Sequence, residues 1–373
     1  MPELILLCAG AAADVAEPGG ERSDALPPDA FSREAAPLAR TLAGGALATV
    51  FARGRVADDG SDPAPIPREL PDERWLRARF GVAERDSVAA WAAPALGLAT
   101  PRWRATPVHV EVGRHQIVLS DPLALEVGDL EAAALADAAR ASLAEAGFTL
   151  EVPRPGAWFL AGNEDWGLDT RAWTMAVGRS IDGYLPAGPQ ARQWRRLFTE
   201  VQMAWHEHPA NLQRAARGLP PVNALWLDGC ARDALPERPL TAFTDDDAIA
   251  GLAIASGGAH RPASDARTAA NDSVDAEVSA AFAAAARAGD VLVDAGFWRG
   301  PRRQGDAYAW REAWLRFDAW LAGWSGGRAL FDHFDRLRLV ASAERRCVEI
   351  VLERADRWKF LRRFDAPAAL LRA

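Results

Sequence analysis

From residue 190 onwards, short apolar runs alternate with helical segments carrying one apolar face, and this alternation restricts the fold more than anything else in the chain. Residues 190–206 set Trp194, Leu197, Phe198, Val201 and Trp205 along one face of a helix. Residues 224–227 form an apolar run ending at Asp228-Gly229, and residues 290–294 form another ahead of a Gly296 turn. Residues 245–255, 274–288 and 307–321 have helical spacing. Continuous apolar strands separated by helices point to a parallel sheet buried on both faces. Residues 4–8 read as a further buried strand, followed by helical patterns at 33–47 and 73–80, with the Asp- and Pro-rich stretch 58–71 as a linker.

The middle of the chain has another texture. Residues 108–112 and 115–119 flank Gly113-Arg114 as a hairpin. Residues 130–146 follow as an amphipathic helix, with Asp129 placed to cap its start and Gly147 its end. Two more strands are expected at 148–152 and 157–161. This order predicts a small α+β unit with an antiparallel sheet. The expected organisation is an α/β core from residues 1–100 and 220–373, with an α+β insert over 101–219. A polar loop is expected at 257–272, and a closing β-meander at 337–341, 347–352 and 358–362.

Composition narrows the partners. The formal net charge is −8, and Lys359 is the single lysine, so the chain lacks the net basic face of a nucleic-acid binder. Cys8, Cys230 and Cys347 are few and far apart, which fits a reducing cytoplasm without a disulfide framework. The start is apolar but short and has no basic leader, so it reads as a strand, and no run reaches membrane-spanning length. Fifteen tryptophans fall mostly at core-like positions, where aromatic packing is the default.

The most distinctive segment is His208-Pro209-Ala210-Asn211, then Arg214, then Pro221-Val222-Asn223 ahead of the apolar run. Pro209 stops the first helix, Asn211 is placed to cap a second that Gly218 ends, and Asn223 stands at the mouth of a strand. His208, Asn211, Arg214 and Asn223 could together hold a small phosphorylated or carboxylate ligand, or clamp helix to sheet. This pattern resembles the archaeal-type cofactor-independent phosphoglycerate mutases of the alkaline-phosphatase-like superfamily. Over most of its length the chain resembles the bacterial RpfE-type regulatory proteins, through the same segment, Pro107-Val108-His109-Val110, Gly156-Ala157-Trp158-Phe159-Leu160 and the tail around Trp358. The resemblance implies an alkaline-phosphatase-like core with a small α+β insert.

For a mutase the resemblance implies a hydroxyl nucleophile between two divalent metals held by Asp and His, because paired cations neutralise charge developing on both oxygens of the displacement. In such enzymes the first strand ends in Asp-Gly; here it ends in Cys8-Ala9-Gly10-Ala11, and the next acidic residue is Asp14. The six histidines are dispersed, and Asp332-His333 with Asp335 is the one C-terminal cluster. Gly323-Trp324-Ser325-Gly326-Gly327 has nucleophile-elbow spacing but follows a helical pattern, which places it at a helix end. No catalytic or metal-ligating set is therefore assigned. The expected function is a non-catalytic regulatory or ligand-sensing protein without a cofactor. The alternatives are an active mutase, which would need divalent metal, and a module that binds a protein partner.

Overall fold

The computed structural model describes residues 2–13, 29–58, 66–84, 86–98, 103–114, 116–162, 166–231, 233–267, 276–324, 329–358 and 365–371. Along the chain the strands are β1 (Glu3–Cys8), β2 (Arg55–Asp58), β3 (Trp103–Val108), β4 (Val110–Val112), β5 (Ile117–Leu119), β6 (Phe148–Arg154) and β7 (Ala157–Gly162). They continue as β8 (Ala224–Asp228), β9 (Leu240–Phe243), β10 (Ala259–Arg261), β11 (Asp290–Asp294), β12 (Arg336–Ser342) and β13 (Cys347–Glu353). Two compact units result, one from Met1–Pro63, Leu70–Gly81 and Leu235–Ala373, the other from Ala64–Glu69 and Val82–Ala234.

The first unit is built on a seven-stranded sheet in the order β10-β9-β11-β1-β12-β13-β2. Every pairing from β10 through β12 is parallel, and β13 runs against both of its neighbours. β1 is central, and Leu4 through Cys8 are wholly buried, as a strand covered on both faces requires. The chain leaves β9 towards β10 on one side and leaves β11 towards β12 on the other, so its direction of winding reverses between β9 and β11. In open α/β sheets that reversal opens a crevice beyond the carboxyl ends of the strands, where ligands bind.

Much of the core is aromatic. Phe243 stacks on Phe282 at 5.1 Å, and Phe282 meets Trp324 at 4.9 Å. Trp298 lies 4.8 Å from Trp314 and 5.4 Å from Phe317. Trp310 and Trp314 of the helix Ala307–Gly323 also donate their indole N–H groups to the carbonyls of Gly10 and Ala11, at 2.9 and 3.0 Å. These bonds pin the turn after β1, whose residues Ala11, Ala12 and Ala13 have no exposed surface.

The second unit holds a four-stranded sheet in the order β6-β7-β3-β8, all antiparallel. The helices Asp129–Glu145 and Ala191–His206 pack on it through Leu135, Leu143, Trp194, Leu197, Val201 and Trp205. This unit reaches beyond residues 101–219 at both ends. β8, placed in the core by the sequence reading, pairs with β3, so that Arg104 stands opposite Asp228.

Several other expectations are corrected. The hairpin β4–β5 is a separate two-stranded sheet and does not join β6 and β7; β3, a strand the sequence reading did not identify, pairs with β7 and completes that sheet. The helical pattern at 33–47 is broken into Asp29–Leu42 and Ala46–Phe51 at Gly44-Gly45. Gly128 caps the helix that begins at Asp129, its N–H donating to the Glu131 carboxylate at 3.2 Å. The polar stretch 257–272 contains β10 and the short helix Ser264–Arg267 before passing outside the described residues at 268. After β13 comes the 3-10 turn Arg354–Trp358 in place of a third meander strand's start, and residues 359–364 lie outside the described set.

Candidate functional site

Side chains from four strand ends converge at the crevice. After β9, the buried Thr244 donates its hydroxyl to Oδ2 of Asp294 at 2.9 Å and accepts the N–H of Asp246 at 2.9 Å. Asp246 caps the helix Asp247–Ala255, its Oδ1 accepting from Ala248 N at 2.9 Å and Ile249 N at 3.2 Å. Asp294 closes β11 and is almost wholly buried. The Arg299 guanidinium reaches back to it, with NH1 2.7 Å from Asp294 Oδ2 and 3.6 Å from Asp246 Oδ2. At the end of β12, Ser342 accepts the N–H of Gly10 at 2.9 Å and donates to Asp72 Oδ1 at 3.0 Å. Asp72 lies in the first turn of the helix Pro71–Phe80 and is buried.

The electrostatics follow from burial and charge. Desolvation lifts the Asp72 carboxyl above the usual range, and the nearby Asp294 adds to this; Arg299 and the Ser342 hydroxyl oppose it without cancelling it. Burial works against the Arg299 charge, but Asp294, Asp246 and Asp72 together outweigh it, so the guanidinium holds its proton more tightly than a free arginine. The Cys8 thiol, at the end of β1, is pushed well up by burial and by the charge of Asp294, so it stays protonated.

Whether this set suits a pair of divalent ions is a question of donors. Two metals need several anionic oxygens or neutral imidazoles facing one space. Here Asp294 is engaged by Thr244 and Arg299, Asp246 by a helix end and Arg299, and Asp72 by Ser342. The central strand β1 ends in Cys8 and contributes no carboxylate to the set. Among the described residues no three His, Cys, Asp or Glu side chains are grouped to hold a metal ion. The residues present do not fit the metal pair.

The fold also keeps Asp332-His333 and Asp335 away from this edge. Asp335 precedes β12, its N–H donating to the carbonyl of Pro2, so it lies at the amino end of the parallel strands. A seven-residue strand, roughly 20 Å long, separates it from Ser342. Asp14 and Ser325 lie outside the described residues, and the helix before Ser325 ends at Gly323, as its spacing predicts.

His208, Asn211, Arg214 and Asn223 are brought together in the second unit, around the helix Pro209–Ala216. With Pro209 in the first helical position, the cap falls to His208 and not to Asn211; His208 Nδ1 accepts from Ala210 N at 3.2 Å. Asn211 is buried within the first turn. Its amide donates to the carbonyls of Trp205 and Val222, both at 2.8 Å, and its oxygen accepts from Val222 N at 2.9 Å. Arg214, wholly buried, donates to the carbonyls of Pro220 and Leu125 at 2.8 and 2.6 Å and to Glu131 at 2.7 Å. Asn223 exchanges two bonds with the backbone of Val110, at 2.7 and 2.8 Å. The arrangement braces two helices and a hairpin against β8.

Sequence reasoning missed Asp72, Thr244, Asp246, Arg299 and Ser342. Acidic residues just past an apolar strand were a usable signal at Phe243-Thr244-Asp245-Asp246, as at Val293-Asp294. Nothing in the sequence marks Arg299 as their partner.

Comparison with solved structures places this architecture. The PH0037 protein from Pyrococcus horikoshii superposes with a TM-score of 0.54 over 97% of this chain and 91% of that one, at 13% identity. The fold is shared with that protein. A cofactor-independent phosphoglycerate mutase from Thermoplasma acidophilum aligns over 99% of this chain and 95% of its own, with a TM-score of 0.38 and 12% identity. No family model and no curated protein matches the chain. Among the described residues no helix is long and apolar enough to cross a membrane.

Proposed function

We propose that this chain is a non-catalytic regulatory or ligand-sensing protein on an alkaline-phosphatase-like, phosphoglycerate-mutase-like framework. The observation that carries the reading is the Arg299 guanidinium among the carboxylates of the β9–β11 crevice. Phosphoryl transfer needs several positive charges next to the moving group, with open positions for oxygen. The Arg299 guanidinium is already paired with Asp294 and Asp246 and has no position open for a moving phosphoryl oxygen. The resemblance of the 194–229 segment to cofactor-independent phosphoglycerate mutases, a substrate-domain motif kept beside donors that do not suit metal, supports the same reading. The ligand class is a small phosphorylated or carboxylate compound, assigned by that likeness to the neighbourhood of His208, Asn211, Arg214 and Asn223.

Metal analysis of the purified protein, together with a mutase assay in added manganese, tests the first half. The expected result is no stoichiometric metal and no turnover; two bound metals with turnover would establish the mutase instead. Calorimetric and thermal-shift titration with phosphoglycerate and related anions tests the second half. Heat and a raised Tm are expected. Silence from every anion, with a stable partner in a pull-down, would make the chain a protein-interaction module.

A further inference from the structure

We infer that Arg299 is a tethered replacement cation: the crevice between β9 and β11 is a cation site that the chain fills with its own guanidinium. The inference rests on the same cluster as the functional reading but makes a separate claim, about what the site holds and why the fold needs it.

Three observations carry it. Asp246, from beyond the β9 end, and Asp294, from the β11 end, both reach one guanidinium, at 3.6 and 2.7 Å, and Asp72, from a helix start, adds its charge to the same group. Neutral donors, Ser342 on Asp72, Thr244 on Asp294 and the start of a helix on Asp246, orient the oxygens. The location is the winding reversal of the sheet, the place where such folds bind ligands. Carboxylates held in a crevice repel one another unless a cation lies between them, and breaking one buried pair strands its partner. Arg299 opens the short helix Arg299–Gln304 that follows β11, so the occupant is supplied close behind the strand that makes the site.

Removing the guanidinium should therefore leave an acidic crevice that accepts a cation from solution. In the full chain, Arg299→Ala is expected to lower Tm by on the order of 5–10 °C. Magnesium or manganese should restore part of this loss, saturating below about 1 mM as in weak oxygen-ligand sites. Guanidinium ion at low millimolar concentration should act likewise, whereas sodium at matched ionic strength should not. The wild-type Tm should be unmoved by either cation or by chelator. Arg299→Ala with Asp294→Asn should be more stable than Arg299→Ala alone and lose the cation response; this pair keeps the test open if the single variant does not fold. A wild-type protein stabilised by divalent ions, or an Arg299→Ala variant that folds and ignores both cations, would overturn the inference. A mutase-negative result leaves these outcomes untouched, so the two readings fail separately.

Discussion

Arg214 concentrates the energetics of the second unit in one side chain. Its guanidinium is wholly buried, paired with Glu131 and bonded to the carbonyls of Pro220 and Leu125. Replacing it strands two buried carbonyls and removes one of the cations on Glu131, which costs far more than the cation contributes on its own. Arg214→Met is expected to lose about 3–5 kcal/mol in urea unfolding. A second residue-scale prediction concerns pH, where two carboxyls act with opposite sign. Burial raises Glu131, but the Gly128 N–H and the guanidinium groups of Arg214 and Arg217 outweigh it, so its folded pKa is depressed. Its stabilisation is present above the unfolded value, about 4.3, and is lost as pH falls through the lower folded value. Asp72, raised chiefly by burial, does the reverse: its unfolded form ionises first, from about pH 3.9, so stability falls as pH rises towards the folded value. Unfolding midpoints across pH 3 to 8 should therefore show Glu131→Gln losing its deficit in acid. The advantage of Asp72→Asn over wild type should appear only above about pH 3.9 and grow from there.

Between elements, a few polar contacts lock the aromatic core to the strand ends. Trp314 is buried, and its indole is the donor to Ala11, so Trp314→Phe leaves a buried carbonyl without it. The expected loss is about 1–3 kcal/mol by thermal or denaturant unfolding, together with looser hydrogen-exchange protection of the turn after β1. A long-range cap works in the same way. Asp318, from the helix Ala307–Gly323, accepts from Leu47 N at 2.7 Å and Ala46 N at 3.2 Å and so caps the helix Ala46–Phe51. Gly45 has no side chain to do this, and a Cβ there would lie 2.3 Å from the Asp318 carboxylate. Asp318→Ala should cost about 1 kcal/mol, and Gly45→Ser should destabilise the protein despite serine's preference for such positions, because it collides with the group already capping. Stability measurements on the two variants together separate these outcomes.

For the whole molecule, the second unit has the layout of an insertion. Its longer segment runs from Val82 to Ala234, and its first and last strands, β3 and β8, lie side by side, tied by the Arg104–Asp228 pair at 2.5 Å. Neighbouring ends and a separate apolar core are the conditions for a unit that folds alone. Residues 82–234 expressed separately should give a single cooperative melt; a broad, non-cooperative transition would count against independent folding.

The element order was legible because burial writes itself locally. β1, β8, β11 and β12 are apolar runs, and the helices Asp129–Glu145, Ala191–His206 and Ala307–Gly323 carry periodic apolar faces. β2, β9 and β10 escaped because three or four residues carry too little periodicity to register. The helix–strand knot was also visible, since Pro209, Asn211 and Asn223 act through neighbouring backbone, although proline's demand for the first helical position moved the cap to His208. Strand order, the transfer of β8 to the second sheet and the meeting of Arg299 with Asp246 and Asp294 were decided only by the tertiary structure. Hydrophobic periodicity is a property of neighbours along the chain, whereas charge balance in a crevice depends on groups that only the closed sheet brings within reach.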